Sequence, residues 1–163
     1  MKNMKWKAMA TIFFIGIWGF FVADRAEAAV KVTINNNMSH NLSIAFCWAG
    51  FDAPDDTSKG WYNVKAGESK TITFKGAVYA LTAQGFGYYA TGTTKGGKPI
   101  TWAGSSEDKH KAYWIHPKKS FTGQSANGGE PISDGKKVYF RALKLKETGS
   151  TREDATATLT FND

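Results

Sequence analysis

The sequence predicts an all-β fold, an antiparallel β-sandwich or barrel of about nine short strands that follows an N-terminal signal peptide, and three observations predict it. Apolar and polar residues alternate with period two, most clearly where Ala155, Ala157, Leu159 and Phe161 interleave with Thr156, Thr158 and Thr160; that spacing puts each set on its own face of a strand. Such runs recur at intervals of roughly eight to twelve residues, divided by Gly, Asn, Asp and Ser clusters that suit turns. No window of a dozen residues beyond position 28 carries a helical stripe, and a chain with 17 glycines is poorly suited to one.

The first 28 residues have a different character. Lys2, Lys5 and Lys7 precede an uncharged apolar run over residues 8–22, and Ala26-Glu27-Ala28 supplies small residues for cleavage. This order is that of a secretory signal peptide. The apolar run is shorter than the roughly 20 residues that a permanent membrane-spanning helix requires. The expected mature product is residues 29–163, a single all-β domain that is exported to the periplasm or the extracellular space.

In the mature part, Val30, Val32 and Ile34 alternate with Lys31 and Thr33, and Asn35-Asn36-Asn37 ends the run. After Ser39 and His40 the alternation resumes with Leu42, Ile44, Phe46 and Trp48, so the two runs form a hairpin or face one another across a sandwich. Residues 49–59, with Gly50, Pro54, Asp52, Asp55 and Asp56, read as a loop with an acidic tip. Strands over 61–64 and 69–74 flank a turn at Lys65-Ala66-Gly67-Glu68, and residues 78–83 form a further β-rich run. Gly85 and Gly87 around Phe86 mark a bulge or bend where backbones come close. Short apolar pieces at 100–102 and 112–115 follow, then a glycine-rich loop over 123–135. The closing runs, 138–145 and 155–161, are expected to pair as an antiparallel hairpin.

Charge and cysteine usage restrict the possible roles. The chain holds 21 basic and 14 acidic residues; without the first 28 these become 17 and 12, a net charge of +5. The basic residues are scattered rather than massed, which suits a solvated face and also contact with anionic lipid headgroups or polyanionic wall polymers. Cys47, the sole cysteine, cannot form an internal disulfide, and its place in an alternating run makes it a small buried residue rather than a nucleophile.

The order of several motifs resembles a known family. Asn35-Asn36-Asn37 precedes Ile44-Ala45; Gly60-Trp61-Tyr62-Asn63-Val64 leads to Gly67; Tyr79-Ala80 and Tyr88-Tyr89 follow, then Trp102-Ala103-Gly104, Tyr113-Trp114-Ile115 and Lys119-Ser120-Phe121-Thr122. Over roughly residues 30–122 the chain resembles the bacterial family catalogued as domain of unknown function 1036. Typical members carry several cysteines where this chain has only Cys47. The resemblance implies a small exported domain and transfers no catalytic residue.

Few residues form a catalytic pattern. His40, His110 and His116 are available as bases, but no serine occupies a Gly-x-Ser-x-Gly elbow. His110 and His116 do not have the spacing of a zinc clip, and Asp52, Asp55 and Asp56 lack the alternation of a calcium loop. No pair among the acids is marked as the carboxylates of a glycosidase. The expectation is therefore a protein that is not an enzyme, with no cofactor and no metal.

The strongest signal is aromatic. In an extended chain, the neighbours Trp61-Tyr62, Tyr88-Tyr89 and Tyr113-Trp114 must point to opposite faces, so one ring of each pair faces away from the core and either contacts a ligand or lies beneath a second layer. Together with Trp102 these seven are the candidate binding residues, because flat rings stack on sugars, lie at headgroup depth or anchor protein contacts. The expected partners are an envelope glycan, an anionic polymer or another protein, with a lipid surface as the alternative. Nucleic acid is not expected, since an exported protein rarely meets it.

Overall fold

The computed structural model describes residues 29–49, 56–75, 85–106, 112–125, 131–148 and 154–163. The expected signal segment, the expected acidic tip at Asp52 and Asp55, the run at 78–83 and His110 lie outside the described residues. Among those described, twelve strands follow in chain order: β1 (Ala29–Asn36), β2 (Leu42–Ala49), β3 (Asp56–Val64), β4 (Ser69–Lys75), β5 (Phe86–Thr93), β6 (Pro99–Trp102), β7 (Ala112–Ile115), β8 (Phe121–Ser125), β9 (Lys136–Tyr139), β10 (Arg141–Ala142), β11 (Lys146–Glu147) and β12 (Ala155–Phe161). No helix occurs among them, so the fold is all-β, as the alternation predicts.

One sheet has the order β11-β12-β1-β4, and a larger one has β10-β5-β2-β3-β8 with β6 also paired to β5. β1 and β2 therefore face each other across a sandwich instead of forming a hairpin. The first and last strands run parallel, Val30 beside Ala155 through Asn36 beside Phe161, while the remaining ladders are antiparallel. Between the sheets, Val30, Val32 and Ile34 of β1 meet Leu42, Ile44 and Phe46 of β2 in one buried cluster. Phe74 on β4 is the hub of this core, with ring centroids 5.0 Å from Phe46 and Trp48, 5.1 Å from Phe86 and 6.0 Å from Tyr62. Each fully buried side chain of this cluster contributes about 1.5–3 kcal/mol of transfer free energy, and edge-to-face ring pairs add about 0.5–1.5 kcal/mol.

The turn at 65–68 carries the chain from β3 in the large sheet to β4 in the small one. Gly67 adopts φ +70°, a backbone angle that favours glycine. The amide of Glu68 donates to the Lys65 carbonyl at 3.1 Å, and the Glu68 carboxylate accepts from the Lys65 amide at 3.1 Å. Asn36, fully buried at the end of β1, secures this corner: its side-chain NH2 lies 2.9–3.0 Å from the carbonyls of His40, Val64 and Lys65, and its oxygen accepts from the Met38 amide at 3.2 Å. The asparagine run ends the strand because one of its members satisfies the backbone groups of two neighbouring turns.

The expected closing hairpin does not form. Residues 136–139 pair with β7, 141–142 with β5, and only 146–147 with β12. Val138 and Phe140 pack into a second apolar cluster, whereas Leu143 and Leu145 pack against the sandwich core, so this segment passes from one core to the other. Period two records that a strand has two faces, but not which layer covers each.

Candidate functional site

The large sheet is covered on both faces. Behind it, away from the sandwich core, Ala45, Cys47, Tyr89 and Phe121 form a second cluster with Tyr113 and Ile115 of β7 and with Phe140, and Trp61 and Val138 pack against it. The β7–β9 ribbon is the third layer. Register sorts its residues: Tyr113 lies opposite Val138 and Ile115 opposite Lys136 on the inner face, and Trp114 lies opposite Lys137 and Ala112 opposite Tyr139 on the outer.

A bulge places the key ring. β2 and β3 pair as Ile44 with Tyr62 and then Phe46 with Lys59, so Gly60 and Trp61 together oppose Ala45. Trp61 faces the second cluster and Tyr62 the sandwich core, on opposite faces. The Gly60–Trp61 peptide bond is cis. A Cβ at Gly60 would stand 2.7 Å from the Ala45 Cβ and 3.0 Å from the Phe121 ring, so only glycine fits there.

The ribbon stops short of one end of the large sheet and leaves a cleft of about 210 Å³. Ser43, Asn63 and Thr91, side by side on β2, β3 and β5, form a polar row in it, and Trp61 and Tyr89 are its aromatic walls. Lys136 at the ribbon end and Lys118 and Ser120 from the following turn complete the rim. Among the described residues, no carboxylate lines it. The Ser43 hydroxyl donates to the Asn63 side-chain oxygen at 2.8 Å, so the Asn63 amide offers its NH2 as donor.

Trp61 also holds the rim in place. Its indole N–H donates to the His116 carbonyl at 2.8 Å, and His116 Nδ1 accepts from the amides of Lys118 and Lys119 at 3.1 and 2.9 Å. With Nδ1 as acceptor, the neutral imidazole carries its proton on Nε2. The turn that presents Lys118 is thereby tied to the ring beside it. On the other side of Trp61 lies a second, more open depression of about 370 Å³, lined by Lys59, Gly60, Tyr62, Phe121 and Thr122 and sharing Trp61 and Ser120 with the cleft. Partial burial raises the pKa of the Tyr62 phenol above its ordinary value, which keeps it neutral.

The seven expected aromatic residues thus divide. Trp61 lines both depressions, Tyr62 one, and Tyr89 a cleft wall at 6% exposure. Tyr88, 7% exposed, lies in the sandwich core against Phe161, and half-buried Trp102 packs on the same ring at 4.8 Å. Tyr113, 7% exposed, packs against Phe140 in the second core. Trp114 is half-buried on the outer ribbon face. Tyr89 therefore lies beneath a second layer and Trp61 is only half-covered by it, so the outward rings do not form an open row.

Sequence reasoning missed Ser43, Asn63, Thr91, Lys118 and Lys136. Ser43 alternates with Leu42 and Ile44 and so belongs to the polar face of its strand, but the sequence does not show which end of the sheet is uncovered. Among the described residues, no three His, Cys, Asp or Glu side chains converge as a metal site would require. Cys47 is buried as expected and forms no disulfide. Comparison with family models, with characterised proteins and with solved structures gives no match to this chain.

Proposed function

We propose that this is an exported, non-catalytic binding module of the cell envelope, periplasmic or secreted after signal cleavage, related to the domain of unknown function 1036 family. Its ligand is an envelope glycan, wall polymer or protein segment held in the cleft beside Trp61. One observation carries this reading: among the described residues the cleft combines a ring, hydroxyl and amide groups and two lysines, with no opposing carboxylate. Such a site favours hydroxylated, negatively charged groups. Retention on purified cell wall tests it. The exposed pair Lys118→Gln and Lys136→Gln should reduce retention of a normally folded protein; unchanged retention would refute the assignment.

A second reading is contact with anionic lipid, favoured by the outer ribbon face. There Trp114 and Tyr139, the latter 40% exposed, flank Lys137 in the manner of residues at headgroup depth. Flotation with anionic vesicles at low salt should recover the protein, and the variant Lys137→Gln less of it. Failure of the unaltered protein to float removes this reading.

A further inference from the structure

The two depressions beside Trp61 are not independent, and we infer from their arrangement that the ligand is a linear, hydroxylated polyanion that crosses Trp61 with one unit in each. This inference rests on the binding role proposed for the cleft and adds the ligand's shape and charge. The cleft is too small for an extended ligand: about 210 Å³ lies below the roughly 300–1,000 Å³ of sites that enclose a drug-sized molecule. It suits a single sugar or polyol unit. The second depression, about 370 Å³, shares Trp61 and Ser120 with it, so the two meet at those residues and a chain leaving one enters the other across the indole.

Charge has the same sign at both ends. Lys118 and Lys136 edge the cleft and Lys59 edges the second depression, and among the described residues neither has an acidic lining residue. All three lysines are exposed, and such ammonium groups attract anions without fixing their orientation. Hydroxyls occur along the same path, Ser43 and Thr91 in the cleft, Ser120 where the depressions meet and Thr122 beyond. The indole stands between the depressions, where a ring face or edge can pack against the carbon skeleton linking two units. A repeating anion with hydroxyls between its charges matches this pattern; a neutral glycan leaves the lysines unused, and a compact anion leaves Lys59 unused.

The test is binding of oligomers of one, two and four units to the full chain at low salt. Oligogalacturonates carry carboxylates and glycerol phosphate oligomers carry phosphodiesters, so the two series separate the possible sources of the anion. Affinity should rise at least about tenfold from one unit to four as the second depression is engaged. Lys59→Gln should weaken the four-unit ligand by up to about fivefold, the range of a single exposed charge contact, and the one-unit ligand less. Lys31→Gln, on the outer face of the small sheet, serves as the control and should leave every affinity unchanged.

An affinity independent of length, or a Lys59→Gln variant that binds four units as the parent does, overturns the inference. If the protein is retained on cell wall yet shows either result, the binding role survives and only the extended polyanion falls. If neither series binds and cell wall does not retain the protein, both fall together.

Discussion

Replacing Gly60 by Ala tests the bulge that sets Trp61 in place. The added methyl carbon would stand 2.7 Å from the Ala45 Cβ, about 0.8 Å inside the ~3.5 Å at which carbon atoms pack favourably. Ala45 is fully buried and its Cβ is fixed to the backbone of a central strand, so it cannot move aside as a flexible side chain would. The Phe121 ring, 3.0 Å away, can turn, which makes Ala45 the obstacle that matters. Overpacking of this kind costs about 1–3 kcal/mol, near 3 here because the obstacle cannot move aside, and is offset by the roughly 0.5–1 kcal/mol that Ala gains over Gly within a strand. A net loss of about 2 kcal/mol is expected from denaturant unfolding, seen as a lower midpoint with an unchanged slope.

The partner change sharpens this expectation. Ala45→Gly alone removes one buried methyl and adds a strand glycine, costing about 1.5 kcal/mol. The double variant transfers the methyl from one side of the contact to the other and should cost no more than about 2 kcal/mol, well short of the additive ~3.5 kcal/mol. The reasoning fails if Gly60→Ala costs less than about 0.5 kcal/mol, or if the two losses simply add.

Three further outcomes follow from the hydrogen bonds. Asn36→Leu removes the donor shared by the carbonyls of His40, Val64 and Lys65 and the acceptor of the Met38 amide, and should destabilise the protein by about 3 kcal/mol in urea; a loss under 1 kcal/mol would show that this asparagine does not hold the corner. His116→Ala should shift stability by less than about 1 kcal/mol yet reduce retention on cell wall, since the Lys118 turn loses its acceptor; His116→Asn, whose amide oxygen can replace Nδ1, should restore retention, and equal behaviour of the two variants would refute this positioning role. Hydrogen bonds from the hydroxyl and amide of Ser39, then from the Lys95 amide, hold the Asp163 carboxyl below the usual carboxylate range. Its stabilising effect is therefore present above the unfolded pKa of about 3.9 and is lost as pH falls through the lower folded value, so the melting-temperature gap between the parent and Asp163→Asn should close in acid; a gap constant with pH would refute it.

Alternation of apolar and polar residues determined that the chain is all-β, because a strand exposes two faces with period two whatever covers them. The same local signals marked the Gly67 corner, where a left-handed backbone angle is needed, the end of β1 at its asparagines and the burial of Cys47. Opposed facing of neighbouring rings was also legible: Trp61 and Tyr62 do point to different sides of their strand.

Tertiary structure alone decided what those faces meet. Burying the back of the large sheet required a third layer, and the β7–β9 ribbon comes from segments separated in sequence, with only register bringing Lys136 opposite Ile115. Long-range pairing also placed the last strand parallel to the first and divided the expected closing hairpin among three sheets, since period two carries no information about partners. The cleft exists because the ribbon is shorter than the sheet it covers. Its polar row and lysines come from five separate strands and turns, so no local stretch of sequence contains it.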